Sequence, residues 1–368
     1  MPLNPVPARA MLRRVTPRRR SRRSAAALAG AVVGAMALLG TALAAATPAT
    51  ASRTEGRAAL PPIRHVWLID LENEGFAQTV GDPQADPYLA KTVPAEGALL
   101  TQYYATGHDS ADNYISQISG QAPTTDTQND CGIWVPFPKS AFVLKPFHQL
   151  VGNGCVYPQT VPTLGNQMTA AHLSWKAQYA SRHDGFMYFE SVIANRSYCE
   201  QHVVSFQPLL KDLSSVKTTP DFSFLSPNVC MDGHDAPCSN GEPGGLVEIQ
   251  GFLHIWRPEI ISSPAYQQNG LIIVTFDEGS TDAACCGETR GRSPSHPDVA
   301  LPGMGGPGGG RVETVLISKF IKPGTASAVP YNHYSTLRSI EDLFHLSHLG
   351  DAAQPQVHSF GSDVYTAS

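Results

Sequence analysis

The segment LIIVTFDEG (residues 271–279) constrains this chain more than any other. Leu271–Phe276 is apolar except for Thr275. A strand this uniformly apolar belongs inside a parallel sheet covered by helices on both faces. It stops abruptly at Asp277 and Glu278. Two acids directly after such a strand have little structural reason to be there, and ligands of such sheets bind beyond the carboxyl ends of the strands.

The rest of the pattern agrees with that placement. Ile63–Leu71 reads as a second buried strand, with Ala98–Tyr104, Phe222–Leu225 and Thr314–Ser318 as further strands. Ser110 is placed to cap a helix over Ala111–Ser119 that Gly120 ends, which puts Asp112 in its first turn. Pro162–Leu173 is a predicted helix with Thr163 as its cap, and Asn332 is the expected cap of Tyr334–Phe344. Gly279–Arg311, rich in Gly and Pro, reads as a long functional loop. Strands alternating with helices predict an α/β fold with a mostly parallel sheet, formed by residues 52–368 as one domain.

The residues just past the strands are then the candidates. Glu72 and Asn73 follow the first strand; Asp277 and Glu278 follow the late one. His108, Ser110 and Asn113 lie where a strand gives way to a helix, Asp232 and His234 follow Phe222–Leu225, and His333 opens the last helix. Carboxylates with an Asn and several His suit one or two divalent cations with mixed oxygen and nitrogen ligands. A serine at a helix start shares the N–H groups and dipole that hold an anion. Together these describe metal-assisted phosphoryl transfer through a phosphoserine. His65, His148, His172, His254, His345, His348 and His358 are left as structural or exposed residues.

The order of these stretches resembles the bacterial and fungal phosphoesterase family of secreted acid phosphatases, phosphatidylinositol 3-phosphate phosphatases and non-haemolytic phospholipases C. That family belongs to the alkaline phosphatase-like superfamily. HVWLIDLENEGF (65–76), YATGHDSADNYISQISGQ (104–121), FSFLSPNVCMDGHD (222–235), LIIVTFDEG (271–279), GPGGGRVETVLIS (306–318) and YNHYSTLRSIEDLF (331–344) carry the resemblance. It implies a three-layer α/β/α sandwich with metal on Glu72, Asn73, Asp277 and Glu278. It also implies Ser110 as nucleophile and Asn113 on the phosphate. His108, Asp232, His234 and His333 would bind phosphate, a second cation or the leaving group. Asp112 stands where a Pro is common in the family. A phosphate monoester, small or on a phospholipid headgroup, is the expected substrate. A phospholipase C-type phosphodiesterase is the nearest alternative, disfavoured because those relatives usually carry more C-terminal sequence. A catalytically silent, metal-dependent surface protein is the alternative of another class.

Export completes the expectation. Residues 1–51 hold eight arginines and no acid, an apolar run over Ser24–Ala46, and the small-residue site Ala49-Thr50-Ala51, the order of a secretory signal cleaved near Ala51, with an uncleaved membrane anchor as the alternative. From residue 52 onward, 18 basic side chains face 31 acidic ones, which excludes a nucleic-acid-binding surface. No later segment is apolar enough to insert stably in a membrane. All seven cysteines lie past the signal. Cys131–Cys155 and Cys230–Cys238 are plausible local bridges, Cys285 and Cys286 pair with each other or elsewhere, and one thiol is left over.

Overall fold

The structure is a computed structural model that describes residues 60–84, 86–179, 183–287, 292–293, 296–300 and 308–366. The expected export signal and part of the Gly279–Arg311 loop lie outside the described residues.

Eight strands form the central sheet. In chain order they are β1 (His65–Leu71), β2 (Ala98–Leu100), β3 (Trp175–Tyr179), β4 (Val203–Val204), β5 (Phe222–Ser226), β6 (Gly270–Phe276), β7 (Thr314–Ile317) and β8 (Thr325–Ser327). Their spatial order is β8-β2-β7-β6-β1-β5-β3-β4. Only β7 is reversed, running antiparallel to both β6 and β2. β6 and β1 lie at the centre, and every residue of both is buried. Burying each large aliphatic side chain there stabilises the fold by roughly 1.5–3 kcal/mol.

The register separates the two faces. Leu68 pairs with Phe224 and with Ile273, so these side chains share one face. On that face the ring of Tyr114, from helix α1 (Ser110–Ser119), meets Phe224 edge-on at 6.4 Å. The Trp175 ring lies against Gly165 of α2 (Leu164–Ala170) on the same face. Trp67 points the other way, onto Tyr266 of α4 (Pro264–Asn269), a short helix that follows α3 (Gly245–Ser262). Helices therefore cover both faces, the expected three-layer sandwich. The last helix, α5 (His333–Leu343), packs against α1.

Local signals explain several boundaries. Thr163 and Asn332 each cap their helices through reciprocal side-chain and backbone hydrogen bonds, as the sequence predicts. Gly120 ends α1 in the left-handed conformation. The expected Ala98–Tyr104 strand is broken, because Tyr103–Tyr104 leaves the sheet to pair with Tyr331–Asn332. The β3 strand was not legible beforehand. Cys131–Cys155 and Cys230–Cys238 are disulfides, Cys285 bonds its neighbour Cys286, and Cys199 is the free thiol. Among the described residues, no helix is long and apolar enough to cross a membrane.

Candidate active site

The carboxyl ends of β1, β5 and β6 meet in one buried hollow. The Asp277 N–H donates to the Leu71 carbonyl, and the Glu72 N–H donates to the Asp232 carbonyl, both at 2.8 Å, so the three strand exits are tied together by backbone. The Gly75 and Gly279 segments run so close that a Cβ on Gly279 would sit 3.0 Å from the Gly75 Cα. A side chain on Gly279 would press the two acid-bearing exits apart.

Within the hollow, Asp277 Oδ1 accepts from the backbone N–H groups of Asn73, at 2.9 Å, and Glu278, at 2.6 Å. Glu72 Oε2 accepts from the Asn73 amide and from the Ser110 hydroxyl, each at 2.9 Å. Glu72, Asn73, Asp277 and Ser110 are thus joined by hydrogen bonds, whereas Glu278 reaches the hollow only through its backbone and turns its carboxylate to His108. Burial, then the neighbouring Asp277 and Asp232 carboxylates, pushes Glu72 well above the usual carboxylate range. Burial and then Glu278 do the same to Asp277. Asp70, which pairs with Gln117 at 2.9 Å, is raised by burial and then by Asp277.

This much buried negative charge suits a cation. Asp277 Oδ2 is buried and has no hydrogen-bond partner, and no Lys or Arg among the described residues pairs with Glu72, Asp277 or Glu278. The orphaned Asp277 oxygen and the neighbouring Glu72 carboxylate are the hard oxygen donors a divalent ion takes, while the Glu278 carboxylate is engaged by His108.

The serine is not the helix cap. Asp109, at φ 69°, occupies that position without a side-chain cap bond, so Ser110 is the first helical residue and its hydroxyl is free to face Glu72. The Ala111 N–H is satisfied by Asp130 Oδ1 at 3.1 Å. Asp112, expected at the second helical position, sits at the third and is fully buried. Burial and then Glu278 raise its carboxyl well above the usual range.

Two residues expected to meet the substrate have their hydrogen-bonding atoms engaged within the protein. Asn113 was expected on the phosphate, but its side chain is consumed by the turn before α1. Its Oδ1 accepts from the Thr106 and Gly107 N–H groups at 3.0 and 3.1 Å, and its Nδ2 donates to the Gly107 carbonyl at 2.9 Å. His333 was expected to act on substrate, yet it is fully buried. Its Nε2 lies 2.7 Å from the Asp277 carbonyl, which can only accept, so Nε2 carries the proton. Nδ1 then accepts from the Tyr103 hydroxyl at 3.1 Å, and Thr336 donates to Tyr103 at 2.6 Å. Burial lowers the His333 pKa to about 4, so the ring is neutral. It braces Asp277.

His108 is partly exposed; its Nδ1 pairs with Glu278 Oε2, and its Nε2 lies 3.2 Å from Asp282. The bond to Glu278 raises its pKa. His234 is also partly exposed and pairs with Asp235 at 2.9 Å, while its N–H donates to Asp232 at 2.9 Å.

His183 is the residue that sequence reasoning missed. It lies past the end of β3, with Nδ1 3.0 Å from both Glu72 and Asp232. Glu72, His183 and His234 present ligand atoms all within 4.8 Å of one another, a cation-competent group that shares Glu72 with the hollow. The strand-end rule would have found it had β3 been recognised. Another cluster, Cys230, Glu242 and Glu248, offers no thiolate because Cys230 is disulfide-bonded.

Beside the hollow is a cavity of about 320 Å³ whose walls continue the two acid-bearing exits. Gly75, Phe76, Ser280 and Thr281 line it together with Tyr104 and Arg311. The Arg311 guanidinium lies 4.1 Å over the Phe76 ring. Among the described residues no carboxylate pairs with it.

The chain matches the family model described as "Phosphoesterase family" over residues 82–347. It is 24% identical over 294 residues to a probable acid phosphatase of Kluyveromyces lactis, covering 78% of this chain and 59% of that protein. It is 27% identical over 333 residues to the phosphate-repressible acid phosphatase of Penicillium chrysogenum, covering 87% and 71%. With the phosphatidylinositol-3-phosphatase of Mycobacterium tuberculosis it shares 25% identity over 298 residues, covering 80% and 81%. The first of these relatives is spanned over less than two thirds of its length. The strand-end hollow, Ser110 and the sheet that positions them all fall within or beside the matched span, and this chain belongs to the Phosphoesterase family.

Proposed function

We propose that this chain hydrolyses phosphate monoesters through a phosphoserine at Ser110, as an exported, metal-dependent enzyme of acid-phosphatase type built on one domain. The single observation that carries the reading is the 2.9 Å hydrogen bond from Ser110 Oγ to Glu72, at the mouth of α1 and inside the acidic hollow. A cation held by Glu72, Asn73, Asp277 and Glu278 would supply charge to screen the phosphate and favour the serine alkoxide. A second would fit Glu72, His183 and His234.

The chain's own groups account for the proton movements. Ser110 Oγ bonds to phosphorus as its proton passes to Glu72 Oε2, and the ester oxygen leaves with a proton from His108, which its bond to Glu278 keeps protonated to higher pH than usual. Water then attacks phosphorus, losing its proton to His108, and Ser110 is regenerated. His333 and Asn113 act as positioning residues, one holding Asp277 and the other the turn into α1. Arg311 faces the leaving group's side of the site and favours alcohols that carry a further anionic group. Three disulfides suit the oxidising compartment to which an export signal over residues 1–51 would deliver the chain.

Turnover of a simple phosphomonoester, a phosphodiester and a phosphoinositide, with divalent metal and after chelation, tests the reading. Faster hydrolysis of the diester would favour the phospholipase C alternative. No turnover of any of them, with metal bound, would leave a silent binding protein.

A further inference from the structure

The segment between the first disulfide's cysteines is built unlike the rest of the molecule. From residue 132 to residue 148 no side chain is buried. Ile133 is 74% exposed, Trp134 48% and Phe142 49%, large apolar groups that a solvated surface has no use for. Phe142–Leu144 forms a strand whose three consecutive apolar residues are all exposed, although alternate side chains must point to opposite faces. Trp134 and Phe137 rest one side on Tyr188 and Tyr157, at 4.8 and 4.6 Å, but all three residues of the strand stay exposed while its partner strand Gln149–Val151 is wholly buried.

Charge distinguishes the same segment. From residue 131 to residue 183 there is no Asp or Glu, whereas Lys139, Lys145, Lys176 and Arg182 are present, in a chain otherwise rich in acid. Lys139 and Lys145 flank the exposed apolar residues and are themselves exposed. The nearest acid before it, Asp130, is turned onto the Ala111 N–H.

The arm is also fixed relative to the candidate nucleophile. Asp130 grips the first turn of α1 next to Ser110, and Gln149 Nε2 donates to the Gly120 carbonyl at the other end of that helix, at 2.7 Å. The Cys131–Cys155 bridge closes the base. Both ends of the arm are therefore clamped to the helix that carries Ser110.

We propose that residues 132–148 dock the protein on an anionic lipid bilayer, with Ile133, Trp134 and Phe142 entering the headgroup region and Lys139 and Lys145 meeting lipid phosphates. Trp rings favour that boundary, short apolar side chains gain area there, and lysines at the edge of an apolar surface reach back to charged headgroups. The acid-rich remainder of the chain would be repelled, which orients the arm toward the membrane. Resting on the phosphoesterase reading, the substrate class becomes a phosphomonoester borne on a lipid.

The experiment compares sedimentation of the full chain with vesicles of phosphatidylcholine alone and of phosphatidylcholine with phosphatidylserine. Three proteins are used: wild type, Trp134→Ser/Phe142→Ser and Lys139→Glu/Lys145→Glu. Wild type is expected to bind the anionic vesicles about tenfold or more tightly than the neutral ones, and both variants to lose about tenfold or more in that binding. Turnover of a soluble phosphomonoester should be unchanged in both, since neither pair belongs to the hollow. Wild type that ignores anionic vesicles would overturn the proposal. So would a concentration-dependent dimer that Trp134→Ser/Phe142→Ser dissolves without any lipid binding, because the arm would then join two copies of the chain. Vesicle binding is read without catalysis. Binding with no hydrolysis of any phosphomonoester would keep the docking surface and reject the phosphoesterase reading instead.

Discussion

The hollow at the strand ends and the arm at residues 132–148 are fastened to the same helix, yet they break opposite rules. The hollow buries charge without counter-charge: Glu72, Asp112 and Asp277 are inaccessible, and Asp277 Oδ2 has no partner. The arm exposes large apolar groups to solvent. Each arrangement is costly for an isolated folded chain, and on the proposals above a cation would relieve the one and a lipid surface the other. Departures from folding logic mark function more sharply than any single residue type does.

The largest expected effect breaks the hollow. Asp277→Asn, or chelation of the wild type, should lower turnover by roughly 10³-fold or more. In chelator, Asp277→Asn should nevertheless melt at a higher temperature than wild type, because one uncompensated buried carboxyl is gone. Thermal unfolding with and without metal checks this; equal melting temperatures in chelator would mean that the hollow is not strained when empty.

Ser110→Ala should cost on the order of 10³-fold in rate with the fold intact. Since Asp109 and not Ser110 occupies the cap position, the loss of about 1 kcal/mol expected on removing a capping serine should be missing from its denaturant midpoint. A phosphoenzyme trapped and mapped elsewhere would reject the assignment.

Arg311→Ala should raise KM about tenfold for phosphomonoesters carrying a second anionic group, and hardly at all for those without one. Paired kinetics on two such substrates separate this from general damage. An equal rise for both would make Arg311 a structural prop for Phe76.

The smallest effect sharpens the contrast by testing a buried acid outside the hollow. Burial raises Glu313, at the start of β7, from 4.5 to about 8. The folded chain keeps that proton while an unfolded glutamate releases it, so stability falls as pH rises between about 4.5 and 8. Glu313→Gln should raise the melting temperature by a few degrees near pH 8 and leave it unchanged near pH 4, with or without metal. A gain that depended on metal would connect Glu313 to the hollow.

The legible parts of the sequence are those where one physical signal dominates. The largely apolar β6 and β1 mark the sheet's centre, and the acids after them point to the strand ends as the place to look. Thr163 and Asn332 revealed their helices because a cap is read within three residues. β3 stayed hidden because Lys176 interrupts it, and that lysine is tolerable only through Asp212 at 2.7 Å, 36 residues away in sequence. His183 was hidden along with it. The roles of Asn113 and His333 depend on which neighbours use up their hydrogen-bonding atoms, and Tyr103 and the Gly107 carbonyl cannot be assigned to them by spacing. Ser110's place within α1 turned on the positive φ of Asp109, which the sequence does not announce.

The reversed strand β7 has a consequence for how such chains diversify. Because β7 runs antiparallel to β6, the chain leaves β6 and re-enters the sheet at the same edge of the domain. The intervening stretch is a seam with both hems sewn to the rim of the hollow. Doubling the length of such a stretch costs only about 0.6 kcal/mol in closure entropy. New cloth can be let in or taken out there without moving one sheet pairing, while Glu72, Asp277 and Ser110 stay where they are.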